Sequence, residues 1–174
     1  QRISLPDTGL GAITMSGGTV QPLQTGTITS PIFQTGTSTL LVGTGITSTF
    51  SGVVGGTSTL TLTKSGEGTA IFTAANTKSG PLTVSDGILS LTGAGSFRNV
   101  SNFNLTGGLL LLDNSAGTAD RLGANTNVTV NGGEFRVNGA NSATVESFGT
   151  LIAGSGGGIV TLAPGAGTSL VVTA

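Results

Sequence analysis

Apolar and polar residues alternate in short bursts along this chain, and one phrase of the alternation recurs. It reads Ile13-Thr-Met-Ser-Gly-Gly-Thr-Val20, Leu82-Thr-Val-Ser-Asp-Gly-Ile-Leu89, Phe103-Asn-Leu-Thr-Gly-Gly-Leu-Leu110 and Val128-Thr-Val-Asn-Gly-Gly-Glu-Phe135. Aligned on Gly18, Gly87, Gly108 and Gly133, each copy has apolar residues five and three positions before the glycine and two after it. Thr14, Thr83, Asn104 and Thr129 fall between the first two, which is the period-two signature of a half-buried strand. Val84 and Leu89 are an odd number of residues apart, so a straight strand would point them to opposite faces. The chain therefore turns at the Gly-Gly or Asp-Gly pair, where positive φ costs little. A two-residue antiparallel hairpin and the corner of a solenoid coil both satisfy this, and both leave the same side chains inside.

Spacing favours the solenoid. The phrase returns 21 residues after Gly87 and 25 after Gly108, and Gly18 to Gly87 reads as three steps of 23. A second phrase, Thr35-Gly-Thr-Ser-Thr-Leu-Leu-Val42, returns as Gly55-Gly-Thr-Ser-Thr-Leu-Thr-Leu62, a step of 20. Such periods mark repeat architectures. The expected fold is an all-β parallel β-helix (β-solenoid) with coils of roughly 20–25 residues; the alternative is an antiparallel β-sandwich of hairpins. One domain over 1–174 is expected, with 1–10, which contains Pro6 and lacks the repeat, as a cap or crossing strand.

Composition narrows the function classes. The 174 residues include 31 Gly and only 7% charged residues, and mean hydropathy is +0.34 with the apolar positions patterned, which argues against disorder. Six Lys and Arg against seven Asp and Glu leave a net charge of −1, so no basic patch suits a phosphate backbone and no nucleic-acid partner is expected. Apolar runs are as short as Leu109 to Leu112, so no membrane span is expected. The chain starts at Gln1, which reads as a processed product or an excerpt. With no Cys and no His, the usual zinc ligands, thiol nucleophiles and Ser-His pairs are missing.

The run Leu62-Thr-Lys-Ser-Gly-Glu-Gly-Thr69 resembles the "LTKxGxGT" core of the autotransporter-associated β-strand repeat, and Ala75-Asn-Thr77 and Thr83-Val-Ser-Asp-Gly-Ile-Leu-Ser-Leu91 resemble its tail. Lys78 stands where that repeat usually has an aromatic residue. The resemblance covers residues 50 to 92, more loosely 120 to 174. It implies a right-handed parallel β-helix in an exported bacterial protein, part of a passenger. No outer-membrane barrel accompanies it in this sequence, so transport of itself is not expected.

Candidate chemistry is sparse. The acids are Asp7, Glu67, Asp86, Asp113, Asp120, Glu134 and Glu146. Asp86 reads as a turn residue, and Glu134 and Arg136 as a solvated strand face around Phe135. The loop from Asp113 to Arg121 is the one place where a polysaccharide-cleaving β-helix could keep an acid beside a cation, and it reads as a solvated loop. Gly154-Ser-Gly-Gly-Gly158 lacks the Asp of a calcium repeat and the Lys of a phosphate loop, so it reads as a glycine turn. Thr ladders can bind ice, but the Thr groups here are unevenly spaced and read as ordinary outward strand residues. The sequons at Asn99, Asn104 and Asn127 are expected by chance in such a composition. No catalytic residue, metal site or cofactor is expected. The leading expectation is a non-enzymatic structural module of an extracellular or bacterial cell-surface fibre, whose partners are copies of itself, the cell envelope or carbohydrate. An adhesin-type passenger and a polysaccharide-degrading β-helix enzyme are the other readings. Self-assembly is expected because Thr8 to Thr63 and Ser147 to Ala174 carry no charge to guard a strand edge.

Overall fold

A computed structural model describes residues 2–3, 11–56, 59–118, 120–166 and 170–173. The chain winds as a β-solenoid of about seven turns, with no helix among the described residues. Three coils are three-sided: β2 (Ile13–Met15), β3 (Gly18–Pro22) and β4 (Gly26–Ile28); β5 (Ile32–Gln34), β6 (Ser38–Leu41) and β7 (Thr47–Phe50); β8 (Val54–Gly56), β9 (Leu62–Ser65) and β10 (Thr69–Phe72). The pairs β11 (Gly80–Val84) and β12 (Ile88–Leu91), β13 (Val100–Leu105) and β14 (Leu109–Asp113), and β15 (Asn127–Val130) and β16 (Glu134–Asn138) continue two of the sides. There the third side is held by single bridges, Ala75 to Ser96 and Phe97 to Leu122. It becomes a strand again at β17 (Thr144–Ser147), followed by β18 (Leu151–Ala153), β19 (Ile159–Ala163) and β20 (Leu170–Thr173).

The first side is an eight-stranded sheet that begins at β1 (Arg2–Ile3) and runs β1-β3-β6-β9-β11-β13-β15-β18. The second side has seven strands, from β4 through β7, β10, β12, β14 and β16 to β19. The strand pairs in these sheets are parallel, so the glycine turns are solenoid corners and not hairpins. The step from coil to coil varies from 19 residues (Ile13 to Ile32, Ala70 to Leu89) to 26 (Thr144 to Leu170), the variation being taken up in the corners. Of residues 1–10, expected as a cap or crossing strand, Arg2 and Ile3 pair in parallel with β3 as one more strand of the first side, and residues 1 and 4–10 lie outside the described residues.

Register stacks the inward residues in columns. Phe50, Phe72, Leu91, Leu112 and Val137 form one, and Leu89, Leu110 and Phe135 another. Val84, Leu89, Leu105, Leu110, Val130 and Phe135, expected to share an interior, are each at most 4% exposed and belong to a single core cluster. Six of the seven Phe are buried; Phe50 stacks on Phe72 at 5.0 Å, and Phe72 meets Phe97 edge-on at 5.2 Å.

Two alignments read from the sequence need correction. Gly18 pairs with Ser38, Ser38 with Leu62 and Leu62 with Leu82, so Gly18 opens β3, at the corner that follows β2. Gly87, Gly108 and Gly133 sit at the other corner, between the first and second sheets. The strands before these two corners both alternate in and out and are followed by a Gly-Gly or Asp-Gly pair, so one phrase can serve either corner. The second phrase is also out of register: Ser38 pairs with Leu62, a step of 24 and not 20. Its Thr57 and Ser58 lie outside the described residues.

Candidate functional site

The Leu-Thr-Lys core of the repeat makes a buried polar corner. Leu62 and Lys64 are two apart on β9, so both point inward, and Lys64 takes a place in the column of Leu40 and Val84. Its Nζ donates to the carbonyl oxygens of Gly66, of Gly68 at 2.7 Å and of Asp86 at 2.8 Å. An ammonium has three protons, so three carbonyls satisfy it, one of them on the next coil. Lys78 works alike, donating to Leu60 O at 2.9 Å and Ser79 O at 2.8 Å. Asn76 donates from Nδ2 to Ala74 O and Ser96 O, while its Oδ1 accepts Val54 N–H at 2.7 Å. Gln34 spans from Gly36 O to Thr61 O. These side chains bond to carbonyls at the corners, some of which also accept a backbone N–H, and tie each coil to its neighbour.

Burial pushes the Lys64 ammonium down to about 8, against an upward pull from Asp86, and pushes Lys78 to about 8 as well. Corner packing also fixes Gly87. Its φ is +60°, and a Cβ there would lie 2.4 Å from Gly66 O and 2.5 Å from Gly68 O.

A second polar cluster lies two coils on, and it corrects part of the reading of the Asp113–Arg121 loop as solvated: Ser115 to Thr118 are exposed as expected, but Asn114 and Arg121 are buried. Arg121 is 1% exposed. It donates to Gly93 O at 3.0 Å, Gly95 O at 2.7 Å, Asp113 O at 2.6 Å and Asn114 Oδ1 at 2.5 Å. Beneath it, the fully buried Glu146 accepts the backbone N–H groups of Asp120, Arg121 and Leu122 and the amide of Asn114. Burial lowers the Arg121 pKa, opposed by Glu146 and Asp113, and raises that of Glu146, opposed by its hydrogen bonds. The cluster holds Asp120 at a φ of 58°, the one positive value among the described non-glycine residues.

The remaining acids are dispersed. Asp120 pairs with Arg98 at 3.0 Å in solvent, and Asp113 caps Ser115 N–H. Glu134 and Arg136 pair at 2.7 Å on the outer face, as expected, and Glu67 accepts the Thr44 hydroxyl. Asp7 lies outside the described residues. Among the described residues no three acids gather as metal ligands. Gly154 to Gly158 form a turn whose Gly156 N–H donates to Asn131 Oδ1. The uneven Thr spacing does not survive folding: Thr19, Thr39, Thr63, Thr83, Asn104 and Thr129 stack in one outward row.

The sequence reading placed uncharged small residues outside and apolar ones inside, and so missed the buried Lys64, Lys78, Arg121 and Glu146. Parity held the signal for three of them. Lys64 follows inward Leu62 by two, Lys78 precedes buried Leu82 by four, and Glu146 precedes buried Phe148 by two. Arg121 and Leu122 are adjacent and both buried, which no alternation reveals.

No curated protein and no solved structure matches this chain. Residues 62–91 match the passenger-associated-transport-repeat family, and that segment carries Lys64, Asn76, Lys78 and the Asp86-Gly87 corner. The repeat, set among stacked parallel coils, fits a β-helix protein of the autotransporter-passenger kind, a surface-associated module.

Proposed function

We propose that this chain is a non-enzymatic structural module of an extracellular or cell-surface fibre, built by stacking coil upon coil between copies. One observation carries the reading. Val160 and Leu162 continue the columns of Phe135 and Val137, which are fully buried, yet they are 45% and 49% exposed. Beside them Leu151, Ile152, Ala153, Gly157 and Gly158 border a depression of about 260 Å³. A further parallel coil, of a copy or of the same chain, would cover these positions. From Ser147 to Ala174 no charge opposes such contact.

Light scattering and electron microscopy over a range of protein concentrations test this. Filaments with a regular axial repeat, lost in Leu162→Lys, are expected. A monodisperse monomer at high concentration would overturn assembly. The non-enzymatic part has its own check: polysaccharide turnover that disappears in Asp113→Asn or Asp120→Asn would show it wrong.

A further inference from the structure

Three steps in this chain join Asp or Asn to Gly: Asp86-Gly87, Asn131-Gly132 and Asn138-Gly139. Such steps are open to internal attack, because glycine leaves its own backbone nitrogen unhindered. Folding treats the three differently. Gly132 N–H donates to Gly157 O at 2.5 Å, and Asn131 Oδ1 is held by Gly156 N–H at 2.6 Å. Gly139 N–H donates to Ala163 O at 2.8 Å. At both, the attacking nitrogen is fixed in a bond to the next coil. Gly87 N–H instead donates to the side chain of the preceding residue, Asp86 Oδ1, at 2.8 Å. The carbon bearing that oxygen is therefore beside the nitrogen.

From this contrast we propose that Asp86 is a site of spontaneous conversion to isoaspartate, and that it ages ahead of Asn131 and Asn138 in the folded protein. Gly87 N attacks Asp86 Cγ and a new N–Cγ bond closes a five-membered imide. The amide proton and one carboxyl oxygen leave with a second proton as water. Water then reopens one of the two C–N bonds. Opening at Cγ restores aspartate, and opening at the main-chain carbonyl carbon leaves isoaspartate. No oxidant, reductant or cofactor takes part. The product carries an extra methylene in the main chain at the corner where Asp86 O accepts Lys64 Nζ and Gly87 O accepts Leu109 N–H at 2.8 Å. Ageing therefore loosens the join between coils inside the matched repeat.

The test is prolonged incubation of the folded chain near neutral and mildly acidic pH. Peptides are then mapped by electron-transfer fragmentation, which separates isoaspartate from aspartate. Isoaspartate at 86 should exceed product at 131 and 138, because the nucleophile is positioned at 86 alone. In chemically denatured chain the order should reverse, since an Asn side chain loses ammonia more readily than Asp loses water. Asp86→Asn, which keeps the corner, should convert fastest of all in the folded state. Faster change at 131 or 138 in the folded protein would overturn the proposal. So would a rate at 86 no higher folded than denatured. Neither outcome bears on fibre assembly.

Discussion

At the scale of single residues, the interior mixes an apolar core with buried polar side chains, and both kinds are informative. Phe135 is fully buried and meets Phe148 edge-on at 5.4 Å. Phe135→Ala should cost about 3–5 kcal/mol, read as a shift in urea midpoint at unchanged slope, because the surrounding coils collapse only in part. Ser48 is the reverse case. It is fully buried between Gly26 and Ala70, and its hydroxyl is the one buried side-chain polar atom among the described residues without a hydrogen-bond partner. Ser48→Ala removes a desolvated group and should stabilise by about 1 kcal/mol in the same measurement. Loss of stability would mean that the hydroxyl has a partner after all.

At the scale of the element, the corners decide stability as much as the strands do. Lys64 and Lys78 are the only lysines, and the chain has no His, Cys or Tyr. Apart from the α-amino group, nothing else of ordinary pKa titrates from neutrality to pH 10.5. Both lysines are lowered from 10.5 to about 8 in the fold. Between those values the unfolded chain binds more protons, so stability rises with pH across that window. The gain should be of the order of 1–3 kcal/mol per lysine, seen as a higher urea midpoint at pH 10 than at pH 7.5. Lys64→Met with Lys78→Met should flatten the rise, and a midpoint that falls toward pH 10 in the parent would show that the carbonyl cage outweighs burial. The strands themselves were legible from alternation, as Leu82 to Leu89 and Val128 to Phe135 show. Which corner a glycine served was not, because Gly18 and Gly87 carry the same phrase at different corners. The buried Arg121 was not legible either, since its partners are carbonyls from Gly93 to Thr118, fixed by the fold and not by any motif.

At the scale of the whole molecule, each coil touches only its neighbours, so stability is a sum of coils and the joins between them. The column Leu112, Val137, Leu162 lets one residue type be compared at two depths: Leu112 is fully buried and Leu162 is 49% exposed. Leu112→Ala should cost about 2–5 kcal/mol at any protein concentration, because its cavity lies between coils of one chain. Leu162→Ala should cost under about 1 kcal/mol in dilute solution, where water already reaches that side chain. If copies stack on that coil, the same change weakens the contact that binds only the folded form, and its cost must grow as protein concentration rises. Unfolding both variants by urea at a low and a high concentration separates the cases. A concentration-dependent cost for Leu162→Ala beside a constant one for Leu112→Ala locates the assembly surface at this coil. A cost for Leu162→Ala that stays small at every concentration removes this surface from any account of a fibre.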